Sequence, residues 1–302
     1  MYYVPIRKQA RGFDAGNCCA VLSGMPVSSL SHVPDLDAYF RRIGYDGPRE
    51  PTRPVLDALM ALHTRAIPFE NLDVLLGRGV SLAPEAVEAK LVGARRGGYC
   101  FEQNSFFLSV LRTLGFRATP LSGRVRLYVP REVVPPRTHL FLKVGLDGGE
   151  WLADVGFGGM SLTSAIRFQA DLEQETRHEP RRLVREDGRW FHQVRSGDGW
   201  VDGYEFTGEE MPPIDRELAN WWTSAHPESR FRHNLMVSLA GPDCTRLNLT
   251  NSEFVRRRGA EVLETTMLGS HDELVALLGD VFGIRIPTGA RLEAPNLDWS
   301  AA

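Results

Sequence analysis

Cys100 is the residue of this chain whose surroundings best suit covalent chemistry. It follows the pair Gly97-Gly98 and opens a run, Phe101 to Leu114, in which apolar residues recur three and four positions apart, as on one face of a helix. Gly115 supplies a helix stop signal. A thiol in the first turn of a helix lies at the positive end of the backbone dipole, which favours the nucleophilic thiolate. The pattern therefore predicts a nucleophile, against the alternative of a small buried hydrophobic side chain.

A base and a carboxylate follow this thiol along the chain. His139 and Asp154 lie in two strand-like runs joined by Asp147-Gly148, a strong hairpin signal. If those two residues are the central turn residues, Leu146 pairs with Gly149. His139 and Asp154 then become diagonal neighbours on one face, with Cβ atoms roughly 7 Å apart, whereas a one-residue slip would separate them.

Cysteine, histidine and aspartate in this order match a nucleophile, a base that takes its proton and a carboxylate that orients the imidazole. The alternative is a histidine satisfied inside a barrel and an aspartate that caps a strand end. The spacing leaves open whether the helix and the hairpin meet.

The elements that must position these residues divide the chain by pattern. Helical spacing of apolar residues runs from Asp35 to Gly115, and strand-like runs between Asp-Gly turns follow from Arg117 to about Phe206. The later part combines a strand-like run, Phe231 to Leu239, with an amphipathic helix pattern, His271 to Phe282. We therefore predict an α+β fold with an N-terminal extension (1–33), a helical bundle that carries the nucleophile (34–118), an antiparallel β-barrel that carries the base and the carboxylate (119–218), and an α/β lid (219–302).

Four motifs in this order resemble the arylamine N-acetyltransferase family. They are Pro68-Phe69-Glu70-Asn71-Leu72-Asp73, Arg96-Gly97-Gly98-Tyr99-Cys100-Phe101-Glu102-Gln103-Asn104, Thr138-His139-Leu140 and Asp154-Val155-Gly156-Phe157-Gly158, and the resemblance extends from about Leu36 to about Pro287. It implies a cysteine-protease-like catalytic triad of Cys100, His139 and Asp154. It also implies that acetyl-coenzyme A is the acyl donor, that Cys100 carries the acetyl group as a thioester in a ping-pong mechanism, and that an arylamine, arylhydroxylamine or hydrazine receives it.

The resemblance also implies contacts with the substrate. Phe69 is expected to border the acceptor ring, the alternative being a core aromatic residue. Thr138 and Phe157, which adjoin the triad residues in sequence, are expected to contact the substrate as well.

Coenzyme contacts are expected at two places. Backbone amides of Gly158 and Gly159 could approach a phosphate, although glycine-rich turns after strands often serve only chain reversal. Trp222, His226 and Ser229 match a stretch that forms a wall of the coenzyme pocket in the family, the alternative for His226 being a surface loop histidine. No metal is expected.

A further set of polar motif residues is expected to pair in the interior and to fix the loop before Cys100, because a charge buried without a partner is costly. Its members are Glu70, Asn71, Arg96, Glu102 and Asn104.

Composition excludes some classes of function. The net charge of −3 and the pI near 6.3 disfavour nucleic acid as a partner. The cysteines Cys18, Cys19, Cys100 and Cys244 form no disulfide or zinc framework by spacing, and a free reactive thiol indicates the cytoplasm. No run is long enough to span a membrane, and no secretory signal is evident. The oligomeric state and the physiological amine stay open, because the amine depends on the pocket around Phe69.

Three other functions are compatible with these residues. A cysteine hydrolase or amidase would use the same triad with water in place of the amine. An amide-forming biosynthetic acyltransferase would use it with a dedicated acceptor. A non-enzymatic binding module would leave Cys100 inert, which the presence of all three triad residues disfavours.

Overall fold

The structure is a computed structural model that describes residues 32–146, 148–287 and 289–299. The predicted N-terminal extension lies outside these residues except at its end, as do Cys18, Cys19 and the turn residue Asp147. Residues from Val33 onward form one compact unit.

The first part of this unit contains helices α1 (Leu36–Ile43), α2 (Arg53–Ala66), α3 (Leu72–Leu75), α4 (Pro84–Glu88) and α5 (Cys100–Thr113), with the short strand β1 (Phe69–Glu70) between α2 and α3.

Local sequence explains where these helices begin and end. The side chain of Asp35 accepts a hydrogen bond from the Ala38 amide and caps the start of α1, and Gly44, with φ of 72°, ends it in the left-handed conformation. Helices α2 and α5 have 14 residues each. No described helix is long and apolar enough to cross a membrane.

The middle of the chain forms one antiparallel sheet of seven strands that nearly closes on itself. The strand order is β5-β4-β3-β2-β8-β7-β6. After β5 the chain crosses to the far edge, where the Asp171 amide donates a hydrogen bond to the Leu183 carbonyl oxygen of β6. The strands are β2 (Arg117–Val125), β3 (His139–Leu146), β4 (Gly149–Ala153), β5 (Ile166–Arg167), β6 (Arg181–Glu186), β7 (Arg189–Ser196) and β8 (Gly199–Phe206).

The register of the β3–β4 hairpin confirms the sequence prediction. Leu146 pairs with Gly149, and the ladder ends where Leu142 pairs with Ala153. Asp154 is therefore the first residue after β4. On the other side of β3, His139 pairs with Gly123 of β2.

The last part of the chain forms a second antiparallel sheet, in the order β1-β9-β10-β11-β12. Because β1 belongs to this sheet and also bridges to Gly98, the loop before Cys100 is tied to the C-terminal part. The elements are α6 (Pro213–Ala225), α7 (Arg230–His233), β9 (Met236–Ala240), β10 (Thr245–Thr250), β11 (Glu253–Arg258), β12 (Glu261–Met267) and α8 (His271–Asp280).

Two features of this part differ from the sequence prediction. The run Phe231 to Leu239, predicted as one strand, begins in α7 and enters β9 only at Met236, because the Ser229 side chain accepts the Phe231 amide and starts a helical turn. Helix α6 was not predicted, and it spans the proposed boundary at residue 218. The four-part division of the chain stays a prediction.

Helices and barrel share one hydrophobic core. Tyr39 of α1, Leu59 of α2 and Phe107 of α5 belong to the same buried cluster as Phe141 of β3 and Phe206 of β8. Burial of apolar surface therefore docks the helix that begins with Cys100 against the strands that carry His139.

A buried ion cluster joins the barrel to the C-terminal sheet. The Glu179 carboxylate accepts hydrogen bonds from Arg181 (2.9 Å) on β6 and from Arg246 (3.0 and 2.7 Å) on β10. Arg257 on β11 donates to the same carboxylate at 3.3 Å. Burial opposes ionisation of Glu179, but Arg246, Arg181 and Arg257 hold its pKa well below its usual range.

Replacing Glu179 by glutamine should therefore destabilise the protein. We expect the free energy of unfolding to fall by about 3 to 5 kcal/mol, because three guanidinium groups lose their common carboxylate in the interior. Urea unfolding at neutral pH measures this loss. A lowered pKa stabilises the fold above the ordinary value of 4.5, and this contribution disappears as the pH falls through the lowered pKa, so the difference from wild type should shrink in acid.

Glu173→Gln is the matched control. Glu173 is half exposed and meets Arg195 at 3.6 Å, so its loss should cost about 1 kcal/mol or less. Equal losses in the two variants would contradict the role of the buried cluster.

Candidate active site

Cys100 is the first residue of α5, and its side chain is almost fully buried (4% exposed). Its Sγ donates a hydrogen bond to the Thr138 carbonyl oxygen at 3.5 Å. The Tyr99 amide before it donates to Oε2 of Glu102 at 3.0 Å, so a side chain of the first turn satisfies the helix start. The thiol thus lies at the positive end of the helix.

His139 and Asp154 lie in direct contact beside this helix. Nε2 of His139 is 2.7 Å from Oδ2 of Asp154, and both side chains are buried. The other ring nitrogen, Nδ1, is not used by Asp154. The Cys100 side chain is among the groups that raise the pKa of His139, so the thiol and the imidazole interact. The helix and the hairpin therefore meet at these three residues.

The electrostatics of this group favour a protonated imidazole. Burial alone would lower the pKa of His139, but the Asp154 carboxylate and the Cys100 side chain raise it well above its ordinary value. Burial opposes ionisation of Asp154, yet His139, Asn104 and the Gly156 amide keep its pKa low. The pair is therefore arranged as an imidazolium beside a carboxylate at neutral pH.

Asn104 links the Asp154 carboxylate to α5, the helix that begins with Cys100. Its Nδ2 donates to Oδ1 of Asp154 at 2.9 Å and to the Leu140 carbonyl oxygen at 2.6 Å. Its Oδ1 accepts the Val155 amide at 3.0 Å. Asn104 was predicted to belong to the polar network around the Cys100 loop. Its spacing of four residues from Cys100 is the sequence signal for the observed position, because it places the two side chains on the same face of the helix, one turn apart.

Gly156 permits the close approach of the two elements. A Cβ atom at this position would lie 2.9 Å from the Cα of Cys100 and 2.7 Å from Nδ2 of Asn104. Any larger residue would push α5 away from the hairpin end.

Aromatic rings enclose the imidazole. The ring of His139 lies 4.8 Å from Phe157 and 4.8 Å from Tyr204, and it stacks on Phe141 at 5.9 Å. Phe157, which was predicted to contact the substrate, is 9% exposed and packs on the rings of His139, Tyr204 and His192. Tyr204 was not predicted, because only the pairing of β8 with β2 brings it to the site.

The charged residues predicted to hold the Cys100 loop do pair in the interior. Arg96 donates to Oε1 of Glu70 at 3.0 and 2.7 Å. Two members were missed: Asp73 accepts from Arg96 at 3.3 Å, and Lys90 contacts both Asp73 and Glu102 at 2.7 Å. Asp73 belongs to the first motif, so charge complementarity with Arg96 was an available signal, whereas Lys90 lies outside the four motifs.

Asn71, predicted in the same network, has a different position. Its amide nitrogen donates to the carbonyl oxygens of Phe231 and Asn234, each at 2.7 Å, and its side-chain oxygen accepts the Met236 amide at 2.9 Å. It therefore ties the loop after β1 to the start of β9.

The predicted acceptor contact Phe69 lies close to the nucleophile. Phe69 is half-buried and packs with the cluster that contains Tyr99 and Cys100. Its ring lies 6.1 Å from that of Phe231, and the chain passes over it at Gly158. Thr138, the third predicted contact, provides the carbonyl oxygen that accepts the thiol.

The predicted coenzyme contacts fall in two groups. Gly158 (φ 61°) and Gly159 begin a short 3₁₀ turn, and the Gly159 carbonyl oxygen accepts from Arg257 at 3.1 Å.

The second group is at the end of α6. Trp222 stacks on His226 with ring centroids 3.7 Å apart, and both are half-buried. Ser229 is buried, with its hydroxyl engaged by Thr223 and by the Phe231 amide. Its side chain supports the start of α7, and the coenzyme contact at Ser229 stays a prediction. Among the described residues, no group of three or more His, Cys, Asp or Glu side chains is arranged to hold a metal ion.

Comparison with known proteins relates this chain to one family. The N-acetyltransferase family profile matches residues 53–291. An arylamine N-acetyltransferase of Escherichia coli is 42% identical over 254 residues, which cover 84% of this chain and 90% of that protein. An arylamine N-acetyltransferase / N-hydroxyarylamine O-acetyltransferase of Salmonella typhimurium is 41% identical over 251 residues, 83% and 89% of the two chains.

A solved structure extends the comparison to the fold. The Mycobacterium marinum arylamine N-acetyltransferase in complex with CoA is 40% identical, with a TM-score of 0.80 over 83% of this chain and 93% of that one. The predicted α+β fold is confirmed by this similarity.

Replacing Asp154 by asparagine should lower the reactivity of Cys100. Without the carboxylate, burial lowers the pKa of His139, and the neutral imidazole no longer stabilises a thiolate. We expect alkylation of Cys100 by iodoacetamide at neutral pH to slow about tenfold or more, measured by peptide mass mapping. Asp202→Asn is the control, because Asp202 pairs with Arg131 away from the thiol. An unchanged alkylation rate in Asp154→Asn would contradict the arrangement.

Proposed function

The chain belongs to the arylamine N-acetyltransferase family, and we propose that it transfers an acetyl group from acetyl-coenzyme A to arylamines and hydrazines through a thioester on Cys100. The observation that carries this proposal is the contact of 2.7 Å between Nε2 of His139 and Oδ2 of Asp154, which leaves Nδ1 for Cys100 at the start of α5. A nucleophile, a base and an orienting carboxylate thus meet in one buried group.

The first half-reaction acylates the thiol. The Cys100 thiolate attacks the carbonyl carbon of the acetyl thioester, and the bond to the coenzyme sulfur breaks. The imidazolium of His139 gives its proton to the departing coenzyme thiolate. Acetyl-Cys100 and a neutral His139 remain, with Asp154 holding the ring in place.

The second half-reaction consumes the acceptor. The amine nitrogen attacks the carbonyl carbon of acetyl-Cys100 while neutral His139 takes a proton from that nitrogen. The carbon–sulfur bond breaks, and the amide and the Cys100 thiolate form beside a renewed imidazolium. Because the two substrates react in turn, ping-pong kinetics follow. Backbone amides around Cys100 are the proposed donors to the oxyanion.

Several residues fit the two substrates. Phe69, half-buried beside Cys100, offers an aromatic wall for the acceptor ring, with Thr138 and Phe157 at the same site. The stacked and half-buried Trp222 and His226 are the proposed coenzyme contacts.

The backbone amides of Gly158 and Gly159 are two further proposed contacts with the coenzyme.

The Salmonella relative's name includes O-acetylation of N-hydroxyarylamines, and we extend the proposal to these acceptors.

The free thiol of Cys100 requires a reducing compartment, which supports a location in the cytoplasm.

The acyl-enzyme is the species to detect. Intact mass of the protein after mixing with acetyl-coenzyme A, without an amine, should rise by about 42 Da, one acetyl group, on wild type and not on Cys100→Ala. Cys244→Ala is the matched control and should gain the same mass as wild type, because Cys244 lies in a turn between β9 and β10.

Subsequent addition of an arylamine should return the protein to its original mass and release the acetylated amine. Loss of the adduct at the same rate without an amine would favour the hydrolase alternative. No adduct on wild type would contradict the proposed donor.

A further inference from the structure

Lys90 lies among three carboxylates next to the loop that precedes Cys100. Its Nζ is 2.7 Å from Oδ2 of Asp73, 2.7 Å from Oε1 of Glu102 and 4.0 Å from Oε1 of Glu70. Only 15% of its side chain is exposed. An ammonium group donates three hydrogen bonds from one point, which suits several carboxylate oxygens that converge on it better than a planar guanidinium would.

An irregular helical turn presents Lys90 to this site. Helix α4 ends at Glu88 and continues as a π-helical turn, Ala89–Gly93, in which the Ala94 amide bonds to the Ala89 carbonyl oxygen. The Arg96 amide then bonds to the Lys90 carbonyl oxygen at 3.1 Å. Turns of this type widen a helix locally and occur frequently at functional sites.

Glu102 connects Lys90 to the nucleophile. One carboxylate oxygen, Oε1, accepts from Lys90, and the other, Oε2, accepts from the Tyr99 amide at 3.0 Å. Tyr99 is the residue that turns the chain into α5, directly before Cys100. The position of the thiol therefore depends on a carboxylate whose orientation and charge depend on Lys90.

We propose that Lys90 is a positioning residue for Cys100 and acts through the Glu102 carboxylate. The proposal rests on the proposed function, since it concerns the nucleophile of that reaction. In this role, Lys90 touches neither substrate. It orients the Glu102 carboxylate and favours its ionised form, and Glu102 holds the start of α5.

The surrounding charges make Glu102 sensitive to the loss of this lysine. Burial raises the pKa of Glu102 to about 7, with Lys90 opposing the rise and Glu70 adding to it. The other charged groups of the cluster are Asp73, which shares Lys90, and Arg96, which pairs with Glu70 and Asp73. Without Lys90, the pKa of Glu102 moves further up, and the carboxyl is protonated at neutral pH.

A double-mutant cycle tests the pathway. The variants are Lys90→Met, Glu102→Gln and their combination, and the readout is the rate at which acetyl-Cys100 forms, followed by intact mass. We expect Lys90→Met to slow this step about tenfold in the wild-type background and to have no effect when Glu102 is already glutamine. Penalties that multiply in the double variant would overturn the proposal, because Lys90 would then act through another group.

The pH dependence gives a second readout that a merely structural lysine would not move. In Lys90→Met, the acidic limb of the acetylation rate should shift to higher pH, because Glu102 then takes up its proton at higher pH. In the Glu102→Gln background the limb should stay in place. An unshifted limb in Lys90→Met would overturn the proposal.

The chain offers a matched control. It has three lysines, Lys8, Lys90 and Lys143. Lys143 is on β3, the strand of His139, and pairs with the half-exposed Glu150 at 2.8 Å. Lys143→Met should acetylate as fast as wild type. If Lys90→Met does not fold, comparison of the double variant with Glu102→Gln still decides, because no carboxylate at residue 102 is then left buried without its cation.

Failure of the proposed function would be distinguishable from failure of this inference. If the wild type forms no acetyl-Cys100, the proposed function is contradicted. The double-mutant cycle of Lys90 and Glu102 is then measured by the rate at which iodoacetamide alkylates Cys100. Wild type that acetylates normally, together with Lys90→Met that acetylates equally fast, overturns the role of Lys90 alone.

Discussion

The buried carboxylate of Asp154 is the constraint on which the site depends. It is fully buried, and an unpaired carboxylate in the interior would cost several kcal/mol. Its hydrogen bonds come from His139 at the start of β3, from Asn104 on α5 and from the Gly156 amide in the following turn. These partners are satisfied together only when α5, the helix that begins with Cys100, docks on the end of the β3–β4 hairpin. The requirement that stabilises the carboxylate thereby assembles the reactive group.

A second charged layer supports the same helix from the other side. Asn104 faces Asp154, whereas Glu102, two residues earlier, points to Lys90 and the Tyr99 amide. The first turn of α5 is thus held between the proposed triad and an ion network. Neighbouring residues of one helix can serve both because side chains two positions apart project to different faces.

Local features of the site could be predicted from the sequence, and long-range ones could not. The β3–β4 register follows from Asp-Gly turn chemistry, and the α5 start follows from glycine and helical periodicity. The docking of α5 on the hairpin depends on contacts such as Asn104 with Asp154, 50 residues apart. The start of the predicted strand at Phe231 became helical because Ser229 caps it and Asn71, about 160 residues away, binds its carbonyl oxygen. The pairing with Asn71 has no local signal.

The proposed reaction depends on the protonation state of His139, which NMR can measure. In protein with ¹⁵N-labelled histidine, the ring nitrogen shifts of His139 can be followed from about pH 5 to about pH 9 and assigned by their loss in His139→Asn. We expect His139 to stay doubly protonated above its ordinary pKa of 6.5, with the Nε2 proton in a hydrogen bond to Asp154. A neutral ring at neutral pH, or a lone proton on Nδ1, would contradict it.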